Sequence, residues 1–173
     1  MRKNKTNLLV VIRHPVGGIR TYLKYTYKYL DPGKYNLTVL TVRNPEGSHI
    51  RSDLNSFDIR MVEVEDRRAE RDLVITMAKL LFAESFDLIH SHGFTAGAVA
   101  VLGNSCFGVP HVLTSHDVLR EDQFGETALG RIKKNIFGML LSRVDVIQSV
   151  SQDAEANLLQ YYPGLSGGKP LLR

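Results

Sequence analysis

From one end of the chain to the other, short apolar runs alternate with amphipathic helical spans. The runs fall at residues 8–13, 37–42, 59–64, 87–91, 109–115 and 145–150. Helical periodicity fills residues 19–30, 71–86, 94–108 and 125–144, and a last helix runs from Ser151 to about residue 161. Most runs are apolar at consecutive positions, the pattern of strands covered on both faces, so the expected fold class is α/β with a parallel sheet. Right-handed crossovers then wind it doubly, as a Rossmann-like sheet. With strand order 3-2-1-4-5-6, the crevice lies outside the carboxyl ends of strands one and four. That rule directs attention to the loops after Arg13, Ser91, Ser115 and Val150.

The helical faces assign candidate core residues at i, i+3, i+4 spacing. They are Ile19, Tyr22, Leu23, Thr26, Tyr29 and Leu30 in the first helix, and Leu73, Met77, Leu80 and Leu81 in the second. Residues 94–108 are small enough to lie close on a sheet. Leu129, Ile132, Ile136, Phe137 and Leu140 line the long helix. Ser151 caps the last helix, with Asp153 and Glu155 in its first turn, where the helix dipole favours anions. Residues 43–53 and 118–130 read as polar, mobile loops.

The 173 residues are 43% hydrophobic and 23% charged, with 22 basic against 18 acidic side chains. That balance suits a globular domain and gives a net charge of +4, too modest to mark a nucleic-acid partner. The basic start is followed by an apolar run, residues 8–12, too short for a secretory signal, and no span approaches the roughly 20 apolar residues that cross a bilayer. The single cysteine, Cys106, fits a reducing compartment and is expected as a small buried hydrophobe. The expected location is cytoplasmic.

Gly17 and Gly18 stand at the first strand-to-helix turn. They serve either as a tight turn or as a backbone that lets a phosphate approach unpaired helix N–H groups without a Cβ clash. The dinucleotide fingerprint G-x-G-x-x-G and the P-loop pattern are both absent. His14, His90, His92 and His116 fall at or near strand carboxyl ends. A metal held by His90, His92 and His116 is set aside, because i, i+2 histidines on buried strands are commonly just hydrogen-bonded. His49 and His111 read as loop and strand-start residues. No nucleophile elbow is present, and Cys106 lies away from the edge. His116 followed by Asp117 is either a structural pair or a group that binds sugar hydroxyls and a developing charge.

Taken together, "VGGIRTYLKYTYKYL", "FDLIHSHGFTAGAVA", "GVPHVLTSHDV" and "VDVIQSVSQDAEANLLQYY" resemble the N-terminal domain of the group 1 (GT4-type) retaining glycosyltransferases. Those enzymes have the GT-B architecture, two Rossmann-like domains around a cleft. The resemblance implies that Gly17 and Gly18, with Arg13 and His14, approach the donor pyrophosphate and the acceptor. It implies that His116 contacts the transferred sugar and that His92, with His90 behind it, lines the acceptor side, and Asp117 beside His116 is taken with it as a catalytic candidate. It implies no metal and no cofactor, the donor being a substrate such as a UDP- or GDP-sugar.

In that family a donor-binding domain follows, with a Lys/Arg pair for the phosphates and an E-x-F-G-x-x-x-x-E motif, neither of which is in these residues. The expectation is a Rossmann-like acceptor-binding domain over residues 1–163, with 164–173 beginning an interdomain linker to a C-terminal domain. The expected partners are a nucleotide sugar, a glycan, lipid-linked or small-molecule acceptor, and that second domain. Two basic clusters, Arg67-Arg68/Arg71 and Arg131/Lys133-Lys134, offer a peripheral contact with an anionic membrane at its inner face, against the plainer reading of solvated helix faces. The rivals are a non-catalytic ligand-binding or regulatory Rossmann-like domain and a nucleotide-sugar epimerase.

Overall fold

A computed structural model describes residues 5–45, 48–116, 118–125, 127–167 and 171–172. Strands β1 (Thr6–Ile12), β2 (Tyr35–Val42), β3 (Ile59–Val64), β4 (Leu88–His92), β5 (His111–Ser115), β6 (Val146–Ser149) and β7 (Leu171–Leu172) form one parallel sheet. Its order is β3-β2-β1-β4-β5-β6-β7, the expected doubly wound sheet extended by a short edge strand. Helices α1 (Gly17–Tyr27), α2 (Ser48–Asp53), α3 (Ala69–Ala83), α4 (Phe94–Gly103), α5 (Ala128–Leu141) and α6 (Gln152–Tyr161) supply the crossovers.

Side chains alternate across each strand, so β1 feeds two cores. Leu8, Val10 and Ile12 meet Leu23 and Tyr27 of α1 and Ile50 of α2. Leu9 and Val11 meet Leu73 and Met77 of α3 and Ala96, Val99 and Ala100 of α4. A third cluster joins Leu113 of β5 and Ile147 of β6 to Leu141 of α5 and Leu158 of α6. The small residues of α4 do bring it close: a Cβ on Gly97 would stand 3.0 Å from Leu113, and one on Gly103 3.0 Å from Met77.

Five sequence expectations are corrected. Residues 48–53 form α2 rather than a loop, because Ile50 is buried and Asp53 is clamped by Arg20 and Lys24 of α1. On α1, Tyr27 is buried, whereas Tyr29 is 81% exposed beyond the helix end. On α5, Leu129, Ile132 and Ile136 face solvent, and Phe137 and Leu140 turn inward. Cys106 is exposed in the turn after α4, outside the packed face. The 118–125 segment is also more fixed than its polarity implied. Leu119 is buried, its N–H donates to Asn157 Oδ1 at 2.7 Å, and Asn157 Nδ2 donates to its carbonyl at 3.0 Å.

Gly130 is what lets this segment lie on α5. A Cβ there would stand 1.8 Å from the Phe124 carbonyl oxygen, which is backbone and cannot step aside cheaply. Gly130→Ala is therefore expected to cost about 1–3 kcal/mol, while Gly164→Ala, whose Cβ would meet open space, is expected to be nearly neutral. Thermal melts check this, at roughly 2–4 °C per kcal/mol for a domain of this size.

Candidate functional site

The strand order reverses between β1 and β4, whose carboxyl ends lie side by side with Ile12 opposite His92. A cavity of about 390 Å³ opens there, lined by Arg13, His14, Gly17, Gly18, His92 and His116 among others. Six residues singled out from sequence thus converge on one space. The seventh, Asp117, lies outside the described residues.

The two glycines divide the two roles left open by the sequence. Gly17 has φ +54°, a left-handed conformation that a side chain resists, so it is the turn residue. Gly18 has ordinary helical backbone, and a Cβ on either glycine would meet nothing within 4 Å. The space above Gly18 is therefore open cavity, not packed protein.

Helix α1 begins here without a side-chain cap, its N-cap being Val16. Helix α4 also begins here, and its N-cap Gly93, at φ +84°, offers no side chain. By contrast α5 and α6 are capped by Thr127 and Ser151, which accept from Gly130 N and Ala154 N at 3.1 Å each. Two uncapped N-termini therefore face one cavity, and each carries unpaired N–H groups and about half a positive charge. The arrangement suits an anion with two charged centres, such as a diphosphate. Sequence reasoning missed Gly93, Phe94 and Thr95 as lining residues. The signal was present, as a glycine directly after the fourth apolar run and before a helix.

Arg13 is less available than its position implied. Its guanidinium donates to Glu70 Oε1 at 2.8 Å and pairs with Asp66 at 3.0 Å, which joins the end of β1 to the start of α3. This hydrogen bond from Arg13 holds the Glu70 carboxyl below its usual range.

Behind the cavity, polar side chains fill the α1 side of the sheet. The Tyr27 hydroxyl lies 2.7 Å from His90 Nδ1 and 3.1 Å from His92 Nε2. His90 Nε2 lies 2.7 Å from Thr114 Oγ1, and His92 Nδ1 lies 3.1 Å from His116 Nε2. Tyr22 Oη and Thr114 Oγ1 both donate to Gln148 Oε1, at 2.8 and 3.2 Å. The Tyr22 ring also meets the His116 ring edge-on, with centroids 5.0 Å apart. His90, His92 and His116 are thus hydrogen-bonded to tyrosine, threonine and each other. Among the described residues no group of three or more His, Cys, Asp or Glu is disposed to hold a metal. Burial, with smaller contributions from His111 and His116, takes His90 down to about 3, and burial likewise holds His92 well below its usual value.

The comparisons with known proteins bear on the family and the fold. A family model described as a glycosyl transferase 4-like domain matches residues 17–164. The Anabaena protein HepE, crystallised with UDP, superposes with TM-score 0.66 at 14% identity, covering 90% of this chain and 41% of its own. A glycosyltransferase from Rickettsia africae gives TM-score 0.66 at 18% identity, covering 93% and 41%. The UDP-GlcNAc 2-epimerase from Neisseria meningitidis, bound to UDP-GlcNAc, gives 0.61 at 13%, covering 96% and 46%. The chain therefore spans less than half the length of each of these structures. No curated protein matches it in sequence.

The buried histidines are expected to make the fold acid-labile. A histidine held neutral in the fold but free to protonate when unfolded means that the unfolded state binds more protons. Stability then falls as pH drops below 6.5 and keeps falling to about 3 for His90. The slope is up to about 1.4 kcal/mol per pH unit and per histidine. Melting temperatures measured in steps below neutrality should decline before the carboxylates begin to titrate, and a flat profile there would contradict the buried, neutral assignment.

Proposed function

The chain belongs to the glycosyl transferase 4-like domain family, and on that premise we propose that it is the acceptor-side half of a transferase that moves a hexose from a nucleotide sugar, with retention. The observation that carries this reading is the pair of uncapped helix N-termini, α1 and α4, facing one cavity beside Gly18. There the leaving nucleoside diphosphate gains negative charge as the anomeric carbon exchanges its phosphate oxygen for the acceptor oxygen. The acceptor proton departs with the phosphate. Preorganised backbone dipoles take up that charge without reorganising, so the reaction calls on no cofactor in this half. Gly18 admits the phosphate, and His116 stands where the sugar lies. Arg13 and His14 wall the phosphate side and His92 the acceptor side. The nucleotide base and ribose fall to a second, donor-binding domain, and a UDP- or GDP-sugar fits the reading.

We further propose a lipid-linked acceptor. A second cavity, of about 620 Å³, shares Phe94 and Thr95 with the first and runs past Leu119, Phe124 and Phe137. Phe124, Lys133 and Phe137 carry it into a wholly apolar groove on α5, with Leu129, Ile132 and Ile136. Leu129, Ile132, Ile136 and Met139 are each at least half exposed. Arg131, Lys133 and Lys134 flank them, and α5 contains no acidic residue. A cationic helix with an outward apolar face suits an anionic lipid surface. The other basic cluster is a weaker anchor, because Arg71 is paired with Asp72 at 2.9 Å. No helix among the described residues is long and apolar enough to cross a membrane. The reading is therefore a peripheral contact, in the cytoplasm at the inner face, and an exposed Cys106 suits that reducing side.

The chain is expected to bind UDP- or GDP-sugar weakly by itself, and micromolar affinity or better by calorimetry would contradict the division of the donor site. Expressed with the rest of its reading frame, it should transfer labelled sugar. His116→Ala should lower kcat roughly 100- to 1000-fold with the fold retained, and Gly18→Val should cripple turnover. A loss below tenfold at His116 with a lowered melting temperature would make it structural, and the absence of transfer from either donor would overturn the reading.

Co-sedimentation should depend on anionic phospholipid and weaken in Lys133→Glu, each such cation contributing about 1 kcal/mol near the surface. It should weaken in Ile132→Asp as well. Binding indifferent to lipid charge, or self-association through α5, would replace the membrane with another partner.

A further inference from the structure

The polar side chains beneath α1 form an unbranched path, and one end of it has a fixed sense. Gln148 Oε1 can only accept, so Tyr22 and Thr114 must both donate to it. The single Thr114 proton is then spent, and Thr114 Oγ1 can serve His90 only as an acceptor. His90 therefore carries its hydrogen on Nε2. A neutral imidazole has one hydrogen, so His90 Nδ1 is bare and accepts from the Tyr27 hydroxyl. With that proton committed, Tyr27 accepts from His92 Nε2. His92 Nδ1 is then bare in turn and accepts from His116 Nε2.

We propose that Gln148, Thr114, His90, Tyr27 and His92 form one directed hydrogen-bond relay that fixes His116 as the tautomer bearing its hydrogen on Nε2, leaving Nδ1 as the basic nitrogen. Its middle is closed to water, Tyr27 being 2% exposed, His92 1% and Thr114 0%, while His90 and Gln148 are partly buried. Burial keeps the Tyr27 hydroxyl protonated by raising it well above its ordinary value, so every member holds the single proton that the sense requires. A reversal at any one joint would leave two donors or two acceptors facing each other, with a hydrogen bond unmade.

The consequence for chemistry is specific. Neutral His116 does not present a donor at Nδ1. It accepts there, so any group that engages that nitrogen must donate to it. Tyr27, His90 and Thr114 are thus positioning residues for a group they help to orient across the sheet. This consequence rests on the transferase reading, whereas the tautomer itself does not.

Two-bond nitrogen–proton correlation spectra of the histidine rings in this chain, near neutral pH and without ligand, test the relay. His90, His92 and His116 should each appear as the Nε2–H form. Tyr27→Phe cuts the path between His90 and His92, so His90 should keep its form while His92 and His116 become mixtures. Thr114→Val removes the fixed sense at its source and should disturb all three rings, and Thr114→Ser should restore them. If Tyr27→Phe fails to fold, the two Thr114 variants suffice. Finding His116 with its hydrogen on Nδ1, which means that the Gln148 amide is turned over and the relay runs backwards, would overturn the proposal. So would a His116 form unchanged by both Tyr27→Phe and Thr114→Val. Absence of sugar transfer with these spectra as expected would remove the transferase reading and leave the relay standing.

Discussion

The reversal of strand order between β1 and β4 is the constraint on which the rest depends. To the β2 side, right-handed crossovers put α1 and α2 on one face. To the β5 side, the same handedness puts α4 and the later helices on the other. The helices that leave β1 and β4 therefore part company, one above the sheet and one below. No connection covers the gap between their first turns, and the cavity with Gly18, Gly93 and His92 is that gap. Because both helices point their amino ends at it, the space is electropositive before any side chain is considered. Neither start supplies a capping oxygen, and at α4 it is a positive-φ glycine that denies one.

A second asymmetry follows from the first. Below the sheet, α3 to α6 pack on apolar side chains such as Leu9, Val11, Ile89, Leu113 and Ile147, among which Ser91 and His111 are buried as a hydrogen-bonded pair. Above it, α1 and α2 cover only the β1–β3 side, with Leu8, Val10 and Val39. Across β4, β5 and β6 the upper face is His90, His92, Thr114 and Gln148. Tyr22 and Tyr27 reach it from α1, each with an apolar ring for the core side and a hydroxyl for the polar side. The sheet thus changes character along its width at the reversal, and the polar half is satisfied internally rather than by a helix.

The sheet, its order and the cavity residues were legible because strand runs and the winding rule are local or topological. Gly17, Gly18, His92 and His116 could be found by asking which loops the rule brings together. The relay could not, since Tyr27 and His90 are 63 positions apart and Tyr22 and Gln148 are 126 apart, so no spacing pattern joins them. Periodicity also failed in a particular way on α5. It locates an apolar stripe but says nothing of what lies opposite, and Leu129, Ile132 and Ile136 proved to face outward. Helix α2 escaped because six residues hold less than two turns, too few for a period to emerge.

The outward stripe and the second cavity are mechanically one unit. Gly130 allows the 118–125 segment to touch α5, and the paired bonds between Asn157 and Leu119 tie that segment to α6. Phe124 and Phe137 then form a wall common to cavity and groove, their rings 6.3 Å apart, and Phe94 at the start of α4 packs edge-on against Phe137 at 5.8 Å. The α5 stripe is therefore contiguous with side chains that touch the first turn of α4. That turn is one of the two electropositive ends of the site.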